Sequence, residues 1–201
     1  MTITNTAQPT RIMALLAAFD QRASAFDRAL DQLAIAFETI EAAMRATRTA
    51  GLPLPQLASA LSLGAQQLAA ARSMLVLTAG EASIARYADA ERGLLDQLDR
   101  ALREPGTDAK AIGGVQEDFL EHEPADRIAL AAGLHGTFLI RQAFLAFARA
   151  TPAPAATLTE ASFALTLARN HLGGPGAAFG PRYADYLARY TQLADELTAA
   201  L

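Results

Sequence analysis

The sequence predicts an all-α protein, an elongated helical bundle of five to seven helices. Two observations indicate this fold class. Ala makes up about a quarter of the 201 residues, and Ala is the residue that favours helices most. Apolar residues also recur at spacings of three and four along most of the chain, which is the period of one helical face. No segment shows the alternating pattern that is typical of a strand.

The first helix is predicted to be long and continuous, because its apolar positions keep a seven-residue repeat over about five heptads. Small Ala residues flank this repeat, which widens the apolar face and favours a helix inside a bundle. Gly51 and Pro53 end the helix. The repeat consists of Ile12, Leu16, Phe19, Ala23, Phe26, Leu30, Leu33, Phe37, Ile40, Met44 and Thr47.

A second periodic stretch extends from Pro55 to Glu104, where Pro105 and Gly106 follow. Its apolar positions continue past Gly80, a residue that can either kink or end a helix. The sequence leaves open whether residues 55–104 form one helix or two.

The next two helices differ in character. A short one is predicted after Asp108 and ends before Pro124, because a residue that precedes proline avoids helical angles. The following helix, Ala125 to Ala150, is the most apolar of the chain. Its longest uncharged run, Ile128 to Ile140, has thirteen residues, whereas a membrane span needs about twenty. We therefore expect a buried helix and no transmembrane segment.

Two further helices complete the predicted bundle. Thr151 to Ala156 is read as a short linker, after which Thr157 and Glu160 form a capping box for a helix that reaches His171. The glycines around 173–181 stop that helix, and their spacing does not match a dinucleotide-binding loop, which requires a preceding strand. The last helix begins near Pro181 and carries an aromatic stripe of Tyr183, Tyr186 and Tyr190.

Composition limits the classes of partner. Residues 10–201 are predicted to be one bundle domain after a flexible tail, residues 1–9. The net charge of −4 gives no general attraction to nucleic acid or anionic lipid. The polar N-terminus is not a signal peptide, and the absence of cysteine suits a reducing compartment. The prediction is a cytoplasmic protein.

Few residues suggest chemistry, so no catalytic residue, metal or cofactor is predicted. The three histidines lie on different segments and lack the spacings of helical zinc or di-iron motifs. The acidic run around His122 is interpreted as a solvated surface. His135, Gln142 and Arg149 share one side of the most apolar helix, with Arg141 beside them. These four residues are the candidates for binding an anionic ligand between helices.

Residues Leu54 to Ser73 resemble a helix-turn-helix, with Gln66, Gln67 and Arg72 on the candidate recognition helix. Ser62 occupies the turn position that is commonly Gly, and Gly64 comes two residues late. Binding to DNA by a helix-turn-helix regulator is therefore one alternative function. The acidic net charge gives it little affinity for phosphate.

The favoured function is a non-enzymatic interaction, scaffold or adaptor protein that acts through helix–helix packing. A continuous first helix would span over 50 Å, more than the other helices could cover, so part of its apolar face should pack against a second copy or a helical partner protein. A bundle that binds a small ligand near His135 is a further alternative. The predicted interface residues are Phe19, Phe26, Leu30, Leu33 and Phe37.

Overall fold

The computed structural model describes residues 7–122, 125–149 and 154–200, and these residues form helices and connecting turns without a strand. All-α architecture is thereby confirmed, with eight α-helices in the described residues where the sequence predicts five to seven. They are α1 (Ala7–Arg22), α2 (Ala25–Ala50), α3 (Leu54–Leu77), α4 (Ala82–Arg103), α5 (Ala109–Glu121), α6 (Ala125–Ala148), α7 (Pro154–Asn170) and α8 (Gly180–Ala200), with a 3₁₀ helix at Pro175–Phe179 before α8.

The predicted continuous first helix is wrong, because the chain breaks between α1 and α2. Ser24 adopts an extended backbone and caps α2. Its Oγ accepts a hydrogen bond from the backbone N–H of Asp27 at 3.1 Å, and the Asp27 carboxylate accepts one from the N–H of Ser24 at 2.7 Å. This reciprocal pair is a capping box, and it starts a new helix at the place where the heptad repeat continues without interruption.

Helices α2 and α3 form a hairpin around Gly51, which ends α2 in the left-handed conformation with φ 64°. The two helices approach closely at Gly64, where an added Cβ would lie 2.6 Å from Cγ1 of Ile40. Residues 55–104 therefore contain two helices. The turn between α3 and α4 includes Ala79 with φ 49°, and Arg182 of α8 donates hydrogen bonds to the carbonyls of Thr78 and Ala79.

Helix α6 lies at the centre of the fold and packs against α1, α2, α7, α8 and the 3₁₀ helix. Two of its glycines allow this: Gly133 faces the hydroxyl of Tyr183, and Gly136 faces Leu165. By length and composition, Asp126–Phe147 could cross a membrane, and in the described residues it is the one helix that could. Half of its most apolar stretch is buried inside the fold, as in the core helix of a bundle.

The predicted tail and the predicted linker are both shorter in the structure, because a helix begins inside each of them. Helix α1 begins at Ala7, inside the predicted tail of residues 1–9, while residues 1–6 lie outside the described residues. Of the predicted linker, 151–156, residues 151–153 lie outside the described residues, and the chain from Pro154 onward belongs to helix α7.

The structure also corrects the predicted interface. Phe26, Leu30 and Leu33 are buried within the single chain, so no uncovered apolar seam remains for a second copy at these positions. Arg182 stacks on the Phe26 ring with its guanidinium carbon 4.0 Å from the centroid. Phe19 and Phe37 are half-buried and pack against Tyr190 and Tyr87, with ring centroids 4.8 Å and 6.3 Å apart. The break at Ser24 shortens the seam enough for the chain to cover it.

Candidate functional site

A polar network at the junction of α1, α2, α6 and α8 is centred on Arg141. Its guanidinium donates three hydrogen bonds, each from a different nitrogen. Nε donates to the Tyr190 hydroxyl at 2.8 Å, one terminal nitrogen to Asp20 Oδ1 at 2.6 Å, and the other to Asp31 Oδ2 at 2.8 Å. Arg141 also lies near the rings of Phe19 and Tyr190. One side chain thus joins all four helices.

Asp31 also accepts hydrogen bonds from two tyrosines of α8. The hydroxyls of Tyr186 and Tyr190 donate to its Oδ1 at 2.9 Å and 2.6 Å. Burial raises the pKa of both tyrosines well above the ordinary value, and the Asp31 charge adds to this effect. The tyrosines therefore remain protonated donors over the physiological pH range.

The charge of Arg141 is fixed by the same partners. Burial lowers the pKa of Arg141, but Tyr190, Asp31 and Asp20 together raise it above the ordinary value. The network therefore holds a permanent cation between two carboxylates. Its tyrosine hydroxyls satisfy lone pairs of Asp31, as buried polar groups require.

A pocket of about 710 Å³ adjoins this network. Its volume lies in the range of small-molecule sites, roughly 300–1,000 Å³. Apolar side chains from α1, α2, α3 and α6 form most of the wall, and the polar groups of the wall include both carboxylates of the network. The lining residues are Leu16, Asp20, Ala23, Arg28, Asp31, Gln32, Ala34, Ile35, Met74, Thr137, Phe138, Arg141, Gln142, Phe144 and Leu145.

Helical spacing positions the two main walls. Arg28, Asp31 and Ile35 follow one another at three and four residues along α2, and so do Phe138, Arg141 and Leu145 along α6. The Arg141–Asp31 ion pair spans the two helices. Apolar residues lie one turn before and one turn after Arg141 on the α6 wall.

The predicted ligand residues do not form one site. Arg141 and Gln142 line the pocket, whereas His135 and Arg149 do not. Arg149 is exposed at the end of α6. His135 instead contacts two carboxylates: its Nδ1 lies 2.6 Å from Oε1 of Glu38, which is buried, and its Nε2 lies 3.4 Å from Oε1 of Glu160. These partners disfavour an anion at His135, contrary to the sequence prediction.

The electrostatics of His135 follow from these contacts. The hydrogen bond to Glu38 raises the pKa of His135, burial lowers it, and the charges of Glu38 and Glu160 raise it further, so that the net shift is upward. Glu38 also pairs with Arg45 at 3.5 Å. The arrangement is an ion-pair cluster that links α2, α6 and α7.

The helix-turn-helix interpretation is wrong, because Leu54–Leu77 is one uninterrupted helix. Gly64 lies inside that helix and allows the close approach of α2 instead of forming a turn. Gln66 is exposed and Gln67 is half-buried. Arg72 forms an ion pair with Asp89 of α4 at 3.0 Å. The three candidate DNA-binding residues therefore lie on a helix that packs as part of a hairpin.

The acidic run around His122 contains the exposed residues Glu117, Asp118, Glu121 and His122, and its Glu123 lies outside the described residues. In the described residues, no group of three or more His, Cys, Asp or Glu side chains is placed to hold a metal ion.

Comparison of the chain with models of protein families gives no match, and comparison with curated proteins and with solved structures gives no significant one.

Sequence reasoning missed Asp20, Asp31 and the polar role of the tyrosine stripe. Asp31 follows the seam residue Leu30 directly, and it is separated from Arg141 by 110 residues and from Tyr186 by 155 residues. No local spacing could have connected these groups. The one available signal was Asp31 itself, a carboxylate on an otherwise apolar part of the first predicted helix, because a buried charge is usually paired.

Proposed function

We propose that this protein binds a small, largely apolar molecule in the pocket between α1, α2, α3 and α6. The observation that carries the proposal is the combination of a 710 Å³ volume with a mostly apolar wall and a fixed polar network at one side. Binding sites for small molecules have this composition, and bundles commonly build them between helices.

Two features of the wall support ligand binding: a polar side that is fixed in advance, and apolar side chains that are still partly exposed. Arg141 is held by three partners on three other helices, so the polar side of the pocket is fixed before any ligand arrives. Preorganisation of this kind lowers the conformational cost of binding. Phe138 and Ile35 are half-buried and Leu145 is exposed, so part of the apolar wall gains burial when a ligand enters.

A series of linear alcohols, from 1-hexanol to 1-decanol, tests the proposal by isothermal titration calorimetry. Each buried methylene contributes about 0.8 kcal/mol, so we expect affinity to rise about fourfold per added carbon. Ile35→Trp fills part of the pocket and should weaken binding of 1-decanol. Leu63→Trp, at an exposed position of α3 outside the pocket, is the matched control and should bind as the unmodified chain does.

Absence of saturable binding across the whole series would refute the proposal. Equal weakening by Ile35→Trp and Leu63→Trp would place the binding elsewhere and would refute it as well.

A second candidate function is self-association through α7, which keeps helix–helix interaction as the activity but moves it to another surface. Phe163 is 69% exposed, and Leu167, one turn later, is 38% exposed. In an antiparallel α7–α7 pair these residues would meet their counterparts. Phe163 and Leu167 share one face of α7, and exposed apolar side chains on one helix face favour packing against another surface, here a second copy of this chain.

Light scattering after size exclusion decides this second candidate. We expect a concentration-dependent dimer that Phe163→Asp dissociates and that Leu63→Asp, at another exposed leucine, leaves intact. A monomer at all concentrations would contradict it.

A further inference from the structure

Arg28 is the basic residue of the pocket wall that has no ion pair in the described part of the chain. The wall carries four charged groups: Asp20, Asp31, Arg28 and Arg141. Arg141 is committed to both carboxylates. The Arg28 side chain makes a single hydrogen bond in the described residues, from a terminal nitrogen to the carbonyl oxygen of Ala23 at 3.3 Å. A guanidinium has five N–H donors, so most of those of Arg28 remain available.

The surroundings of Arg28 favour a negative group. Arg28 lies in the first turn of α2, the end of a helix that carries partial positive charge. The acid of the same turn, Asp27, already accepts from Ser24 and forms an ion pair with Arg189. Ala23, beside the Arg28 guanidinium, also lines the pocket. A free cation therefore stands at the place where the pocket meets the start of α2.

The acidic residues of the wall do not offer an equivalent place for a cation. Asp31 accepts three hydrogen bonds, from Arg141 and from two tyrosines. Asp20 is paired with Arg141 at 2.6 Å. A cationic ligand would have to displace or share these partners, whereas an anionic ligand finds unused donors on Arg28.

We propose that the ligand is a linear apolar monocarboxylate of the fatty-acid type, with its carboxylate on Arg28 and its chain along the apolar wall. This inference rests on the proposed function and specifies the ligand class of the same pocket. From Arg28 to Ile35 the α2 wall extends about 10 Å, and Ile35 and Phe138 mark the far apolar end. An Arg–carboxylate pair is charge-assisted and can form two hydrogen bonds at once.

Three ten-carbon probes that differ only in their head group test the inference by calorimetry: decanoate, 1-decanol and decylamine. At neutral pH and low salt we expect decanoate to bind about tenfold more tightly than 1-decanol, and decylamine to bind more weakly than either. The advantage of decanoate should shrink as salt screens the charge.

Arg28→Gln should abolish the preference for decanoate over 1-decanol, because the replacement removes the cation that would pair with the carboxylate. Arg28 is exposed, so its replacement should not disturb folding. Arg92→Gln, at an exposed arginine of α4 outside the pocket wall, is the matched control and should retain the preference.

The possible failures separate the two proposals. Equal binding of decanoate and 1-decanol, tightest binding of decylamine, or a preference that survives Arg28→Gln would each refute the carboxylate assignment and leave the pocket proposal standing. If none of the three probes binds, both proposals are refuted.

Discussion

Asp31 connects the helices around the pocket, because its two carboxylate oxygens accept hydrogen bonds from three side chains on two other helices. Its side chain is 15% exposed, so water can replace few of the interactions that its carboxylate makes. Removing one partner of a largely buried ion pair leaves the other without full compensation. Removing the Asp31 charge should therefore lower the free energy of unfolding by more than breaking a surface ion pair does.

Asp31→Asn should lower the free energy of unfolding by about 2–3 kcal/mol, since Arg141 retains Asp20 but loses its more buried carboxylate. Urea denaturation followed by circular dichroism measures this. Asp89→Asn is the control, because Asp89 forms a single ion pair with Arg72 at the surface and should cost at most about 1 kcal/mol. Equal effects of the two substitutions would show that the network contributes no more than a surface pair.

His135 should make stability depend on pH. The hydrogen bond with Glu38 raises the pKa of His135 in the folded protein, while the unfolded value is about 6.5. A raised folded pKa means that the folded state binds the proton more tightly, so the stabilisation is complete below pH 6.5 and is lost as the pH rises through the folded pKa. His135→Gln should remove this component of the pH dependence.

The measurement is the urea midpoint between pH 5 and pH 9 for the unmodified chain and for His135→Gln. His171→Gln is the control, because His171 follows α7 and lies outside the Glu38 cluster. An unchanged pH profile in His135→Gln would contradict the assignment of this component to the Glu38–His135 pair.

At the scale of the helices, the periodic pattern located the buried face correctly and failed on continuity. Phe26, Leu30, Leu33, Ile40 and Met44 are all buried as the seam predicts. The seam did not reveal the end of α1, because α2 resumes with the same apolar period. Ser24 and Asp27 were the missing signal: a serine followed by an acidic residue three positions later marks a helix start, and it outweighs unbroken periodicity.

Gly64 illustrates the same limit in α3. From the sequence, a glycine near a pair of short periodic stretches suggests a turn, whereas the structure uses it to let α2 and α3 approach. Periodicity cannot distinguish these roles, because only the position of the neighbouring helix decides whether a Cβ would fit.

Gly64→Ala should therefore destabilise the protein by about 1–3 kcal/mol, since the added Cβ would meet Ile40 and force the hairpin apart. Gly93→Ala in α4 is the control: no atom lies within 4 Å of its added Cβ, so Ala should stabilise that helix by about 0.5–1 kcal/mol. Thermal unfolding of both variants gives the comparison. A stabilising Gly64→Ala would contradict the close packing of α2 on α3.

At the scale of the whole molecule, the sequence specified the class of fold and the content of the core but not the pocket. The sequence predicted a buried helix at α6 from its apolar composition, and in the structure α6 packs against five other elements. The pocket depends on how four helices meet, which no single helix determines. The break at Ser24 redirects α1 onto α6, so that Asp20 reaches Arg141, and this contact completes the polar side of the pocket.

A tryptophan reporter in the pocket wall tests ligand binding there most directly, because the chain contains no tryptophan of its own. Leu145→Trp places the indole at the pocket, and Leu63→Trp places it on an exposed face of α3 outside the pocket. On titration with 1-decanol, we expect the emission of Leu145→Trp to shift to shorter wavelength and saturate, as the ligand displaces water from the wall, while Leu63→Trp stays unchanged. An unchanged Leu145→Trp spectrum, or an equal shift in both variants, would contradict a ligand site between α1, α2, α3 and α6.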